Sequence, residues 1–202
     1  MTESQRHHRP ALIVVDVQRD FCQGGALPVP QSDRVVPAIN RYLAEAGHTK
    51  MPVYASRDWH PPVTTHFAAY GGTWPPHCVR GTDGAQFHPH LRLPTHAIVL
   101  SKGEEADRHG YSACDGRTAR GTSFLDDVRD RHVNHLYVTG LATEYCVKQT
   151  VLDARRAGLR VTVLTDAIAG LEARAGDVDR ALTDMAEAGA EFAEAMTDAT
   201  LS

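Results

Sequence analysis

The 202-residue chain is 42% hydrophobic, enough for one sizeable buried core, and its 21 basic and 25 acidic residues give a formal charge of -4. That balance supplies no cationic surface for a phosphate backbone, which argues against a nucleic-acid partner. No apolar run approaches the roughly 20 residues that span a bilayer, which argues against a membrane one.

The four cysteines form no C-x-x-C pair and no apolar leader follows Met1, so the expectation is a cytoplasmic protein with free thiols. The opening MTESQRHHRP is polar and reads as a disordered arm over residues 1–10, with His7 and His8 solvated and the domain running from 11 to 202. ALIVVDV, residues 11–17, has the β-branched content of a strand buried on both faces, with Asp16 near its end. Gly24, Gly25, Pro28 and Pro30 mark a loop, and Asp33 opens a helix pattern for which Gly47 is the expected C-cap. PVYASRD, residues 52–58, is a second strand that ends in Asp58. From Trp59 to Leu93 no helical period persists, and a loop of that length in a compact domain is usually functional.

AIVLSK, residues 97–102, reads as a third strand ending in Lys102, and FLDDVRDRH as a helix after Ser123. HLYVTG, residues 135–140, is a fourth strand. The helix pattern of EYCVKQTVLDARRAG follows, with Cys146 in its first turn, where unpaired N–H groups and the helix dipole favour a thiolate. LRVTVLTDAIAG supplies a fifth strand, AGDVDRALTDMAEAGA a last helix and AEFAEAM a sixth strand. Strands alternating with helices predict an α/β fold: a single three-layer domain with a mostly parallel six-stranded sheet and helices on both faces.

Ligands of such sheets bind outside the carboxyl ends of the strands. Asp16, Asp58, Lys102 and Cys146 all fall there. Singly, each has an ordinary explanation: a turn residue, a solvated strand end, a small core thiol. Together they meet a chemical requirement, because a thiol with a free pKa of about 8.5 needs a base to take its proton and a cation to hold the thiolate. Asp16 can serve as the base and Lys102 as the cation.

Asp58 and His60 lie two apart and face the same side of an extended segment, and His66 and His77 can fold back across the loop. A carboxylate with imidazoles suits zinc, iron or manganese. The chain has 12 histidines, which dilutes the weight of each, and spacing leaves open whether His66 is a direct ligand. Cys78 adjoins His77 too closely in sequence for both to face one ion, and with Cys22 and Cys114 it reads as structural. Phe21 and Trp74 could wall a pocket for a flat ring or simply cover the core.

ALIVVDVQRDFCQGG, RDWHPPVTTHF, TWPPHCVRGTDGAQFHP, LSKG and VTGLATEYCV, in that order, resemble the motifs of the nicotinamidases (pyrazinamidases) within the isochorismatase-like cysteine hydrolases. The resemblance runs from about Ala11 to the last strand. It implies a triad of Asp16, Lys102 and Cys146, and one divalent ion, zinc before iron or manganese, at Asp58, His60, His77 and His66. It implies a cis Leu141–Ala142 peptide, an oxyanion hole at the N–H groups of Ala142 and Cys146, and substrate contacts from Phe21, Trp74 and Leu141. The implied activity is hydrolysis of nicotinamide, and of pyrazinamide, to the acid and ammonia, serving NAD salvage, with a small aromatic amide as partner and homo-oligomerisation left open. A metal-free amidase of the same superfamily and a non-catalytic binding relative are the alternatives. Cys114 stands where relatives often carry an aromatic residue.

Overall fold

The structure, a computed structural model, describes residues 8–196. Six strands form one sheet: β1 (Pro10–Val15), β2 (Val53–Asp58), β3 (Ile98–Lys102), β4 (His135–Leu141), β5 (Arg160–Ala169) and β6 (Glu191–Ala193). Their order is β3-β2-β1-β4-β5-β6, and every pairing between them is parallel. Four α-helices cover it among the described residues: α1 (Ser32–Thr49), α2 (Phe124–Asp130), α3 (Lys148–Arg156) and α4 (Asp177–Glu187).

Alternation along β1 sorts the core into two layers. Leu12 and Val14 pack with Val35, Val36, Ile39, Tyr42 and Leu43 of α1. Ala11, Ile13 and Val15 pack on the other face with Val128 of α2, Val151 and Ala154 of α3 and Met185 of α4. The predicted three-layer α/β domain is thus the observed one. Strand order reverses between β1 and β4, the position at which a doubly wound sheet opens a crevice at its carboxyl edge. Val15 pairs with Gly140 there, and the strands approach so closely that a Cβ on Gly140 would lie 2.0 Å from the Val15 carbonyl oxygen. Gly140 also has φ 113°, which only glycine adopts at no cost.

Several predicted boundaries move. Pro10 belongs to β1, paired with His135, and is not part of an arm. His8 packs edge-on against the His135 ring at 5.1 Å and is half-buried; residues 1–7, His7 included, lie outside the described residues. β1 ends at Val15 because Asp16 turns the chain with φ 49°. Gly47 does not cap α1. The helix runs on to Thr49, and Lys50 takes the left-handed position, its N–H bonding Gly47 O while Met51 N–H reaches Ala46 O. Burial of Met51 under the helix end, not the glycine, sets the stop.

Candidate active site

Asp16 leaves β1, Asp58 ends β2, Lys102 ends β3 and Cys146 follows β4, so four strand ends meet at the switch point. Lys102 is buried and central. Its Nζ lies 2.8 Å from Asp16 Oδ2, 2.6 Å from Asp58 Oδ1 and 3.6 Å from Cys146 Sγ, and it donates to the Gly110 carbonyl at 3.1 Å. Ser56 Oγ donates to the other Asp16 oxygen at 2.7 Å. Cys146 sits in a π-helical turn, Thr143–Val147, in which Val147 N–H reaches back to Ala142 O. The regular helix therefore begins only at Lys148, later than the sequence pattern predicts, and wider turns of this kind are frequent at functional sites.

Burial sets the charge states. It would depress the Lys102 ammonium, but Asp16, Asp58 and Cys146 outweigh it and raise the lysine well above its ordinary value. Burial lifts Asp16 above the usual carboxylate range, with Lys102 opposing and Asp58 adding to the rise. Asp58 is pushed up by burial too, yet Lys102 holds it well below that range. For Cys146, burial and the two carboxylates prevail over Lys102 and raise the thiol. These surroundings therefore favour the Cys146 thiol, against the expectation that the helix start favours a thiolate.

The second constellation closes beside the first. Ligand nitrogens of His60, His66 and His77, all buried, lie within 4.8 Å of one another. His60 Nδ1 faces the Gly103 carbonyl at 3.0 Å and His77 Nδ1 the Pro75 carbonyl at 2.8 Å, so each Nδ1 holds the ring proton and each Nε2 a lone pair. His60 Nε2 is buried with no hydrogen-bond partner among the described residues, and Asp58 Oδ2 stands 3.5 Å from it. Burial pushes His66 down to about 3 and lowers His77, which keeps these rings neutral. Imidazole nitrogens converging beside a carboxylate, that of His60 buried and unpartnered among the described residues, fit a divalent cation.

A second cluster, Cys22, Asp33 and His88, also lies within 4.8 Å, but His88 Nδ1 accepts the His90 N–H at 3.2 Å. Its Nε2 therefore holds the proton and faces Asp33 at 3.3 Å, an ordinary hydrogen-bonded pair. Cys78 is fully buried and, like Cys22 and Cys114, has a thiol raised first of all by burial, as structural cysteines do.

Phe21, Trp74, Tyr111 and Tyr145 wall the cleft that Asp58, His66, His77, Ala142, Cys146 and Leu171 also line. Trp74 Nε1 donates to Tyr111 Oη at 2.9 Å and its ring meets Tyr145 edge-on at 5.0 Å. The Leu141–Ala142 peptide is cis.

The sequence profile of the isochorismatase domain matches residues 10–198. The chain belongs to the isochorismatase family. Within that family it is 45% identical over 166 residues to the nicotinamidase/pyrazinamidase of Mycobacterium tuberculosis, covering 81% of this chain and 88% of that protein. It is 41% identical over 196 residues to the nicotinamidase of Escherichia coli, covering 89% and 92%. Its fold superposes on the pyrazinamidase of Pyrococcus horikoshii in complex with zinc with TM-score 0.84 at 41% identity, covering 93% of this chain and 99% of that one.

This family member differs from the sequence reading at Leu141. Its side chain is fully buried in the core shared with α1 and does not line the cleft. The next residue, Ala142, takes that place. Several residues escaped the sequence reading altogether. The Gln18 side chain grips the end of β2, accepting the Asp58 N–H at 2.7 Å and donating to the Asp58 carbonyl at 2.8 Å. Glu144 accepts the backbone N–H groups of Leu171 (3.2 Å) and Glu172 (2.7 Å), pinning the segment after β5 against the cleft. A signal for Gln18 was its two-residue step from Asp16, which keeps both near the strand end. For Glu144 there was none, because its partner segment lies beyond another strand.

Proposed function

We propose that the chain is a metal-dependent nicotinamidase that hydrolyses nicotinamide, and pyrazinamide, to the carboxylic acid and ammonia through a Cys146 thioester. One observation carries the reading: Cys146, backed by the buried Lys102–Asp16 pair, lines the same aromatic-walled cleft as Asp58 and as His66 and His77 of the buried imidazole cluster. A flat ring with a nitrogen at one end and a carboxamide at the other matches both. The relatives named nicotinamidase and the zinc-bound pyrazinamidase support it, and a small aromatic amide in the cytoplasm, within NAD salvage, is the corresponding setting.

In the mechanism, Asp16 takes the Cys146 proton as the sulfur attacks the carboxamide carbon, and Lys102 balances the charge that develops between them. The N–H groups of Ala142 and Cys146 receive the oxyanion, at about 3 kcal/mol per donor. Asp16 returns the proton to the departing nitrogen, which leaves as ammonia. Water then adds to the thioester, Asp16 takes its proton, the C–S bond breaks and the thiol is restored. Asp58, His60, His66 and His77 would hold the ion, which when bound supplies a Lewis-acidic docking point for the ring nitrogen. Phe21 and Trp74 sandwich the ring and exclude water.

The test is ammonia release from nicotinamide by the purified protein, with zinc, iron and manganese content measured on the same sample. No release with full metal occupancy would overturn the substrate. His60→Ala is expected to cut retained metal severalfold or more and to raise KM, while leaving the triad in place; unchanged metal by elemental analysis would remove His60 from the ligand set.

A further inference from the structure

Residues 103–110, between β3 and the Tyr111 wall, lie over the histidine cluster and touch it from several directions. Gly103 O holds His60, Gly110 O holds Lys102, and Ala106 O accepts from Thr65 N–H at 2.7 Å and from the hydroxyls of Thr64 (3.0 Å) and Thr65 (3.1 Å), immediately before His66. The remaining contact is a ring. His109 is exposed and stacks on Tyr111, with centroids 5.6 Å apart and 18° between planes, and its Nδ1 lies 3.1 Å from His66 Nδ1.

Two ring nitrogens at that separation share one proton, so one donates and the other accepts. If His109 donated, His66 Nε2 would hold the second ring's proton and could not ligate a cation. If His66 donates, its Nε2 keeps a lone pair, the state that His60 and His77 obtain from backbone carbonyls. His66 is the member of the cluster whose Nδ1 faces a side chain instead.

We propose that His109 is a positioning residue for His66, accepting its Nδ1–H and so holding the imidazole in the tautomer that turns an Nε2 lone pair toward those of His60 and His77. This rests on the reading of the cluster as a metal site. The coupling is reciprocal: a cation on Nε2 excludes a proton there and places it on Nδ1, which strengthens the bond to His109. Outer partners of ligating histidines typically contribute 10- to 100-fold in metal affinity.

The experiment is the zinc dissociation constant, by competition with a chromophoric chelator at fixed pH, of the full-length protein and three variants. His109→Ala removes the acceptor and the stacked ring, His109→Phe keeps a ring on Tyr111 without an acceptor, and His109→Gln supplies an amide oxygen. Zinc affinity should fall about 10- to 100-fold in the Ala and Phe variants and return toward the parent value in the Gln variant. Thermal unfolding of the zinc-free proteins should stay level, since His109 is exposed. Parent-like affinity of His109→Phe, or equal weakening in all three, overturns the role of His109 provided that His60→Ala still loses zinc. A parent protein that binds no zinc, or a His60→Ala variant that keeps it, overturns the metal site itself.

Discussion

Cys146→Ala is expected to lower turnover of nicotinamide by at least about 10⁴-fold, to the level left by binding and the oxyanion donors alone. Among the described residues the site offers no substitute nucleophile. Cys78 is fully buried and its thiol is raised by burial, Cys22 and Cys114 do not line the cleft, and the Tyr111 hydroxyl is likewise raised and already accepts from Trp74. Cys146→Ser should fare little better, because a hydroxyl is a far weaker acid than the thiol and Asp16 would have to take its proton. The loss must be chemical and not structural. Cys146 is 5% exposed, and removing one sulfur from that position costs about 1 kcal/mol of packing, too little to unfold the domain. Zinc content and ring binding should persist, since the sulfur is outside the histidine cluster. Ammonia release, measured beside thermal unfolding and metal content, checks all three. Activity within tenfold of the parent would move the nucleophile elsewhere.

What could be read from the sequence follows from what is local. Asp16, Asp58 and Lys102 stand at or just past the ends of β-branched runs, and in a parallel sheet those ends share one edge, so their meeting could be argued without coordinates. Asp58 and His60 were legible for the same reason, two residues apart on an extended segment. The protonation state of Cys146 was not. The helix-start argument favours a thiolate, but burial beside two carboxylates reverses the sign, and burial depth is a tertiary quantity. His109 was illegible in another way: it lies in EEADRHG, a stretch with no period, and only the fold of that loop brings its ring against His66. The same applies to Gly47, whose sequence setting suits a helix cap until burial of Met51 extends the helix past it.

Lys102→Met is expected to combine a severe catalytic loss, about 10³-fold or more, with a stability loss that depends on pH in a diagnostic direction. Methionine keeps much of the buried volume but leaves Asp16 and Asp58 facing each other without the cation that now lies 2.8 and 2.6 Å from them. Removing one partner from a buried ionic cluster typically costs about 3–5 kcal/mol. In the parent, Asp58 is held below the carboxylate range, so its contribution is present above the unfolded value, about 3.9, and is lost as pH falls through the lower folded value. Asp16, already raised by burial, contributes in the opposite sense, and the raised Lys102 holds its contribution until pH climbs past the ordinary lysine range. Without Lys102 both carboxyls are pushed up. The native variant then binds more protons than the unfolded chain, and its stability declines as pH rises through the folded values. The gap between parent and variant should therefore be widest near pH 7 and narrow toward pH 4, a window below that in which Lys102 itself titrates. Denaturant unfolding at the two pH values measures it. A gap that is constant, or wider in acid, would mean that Lys102 does not neutralise this pair, and its place in the thiol chemistry would fall with that.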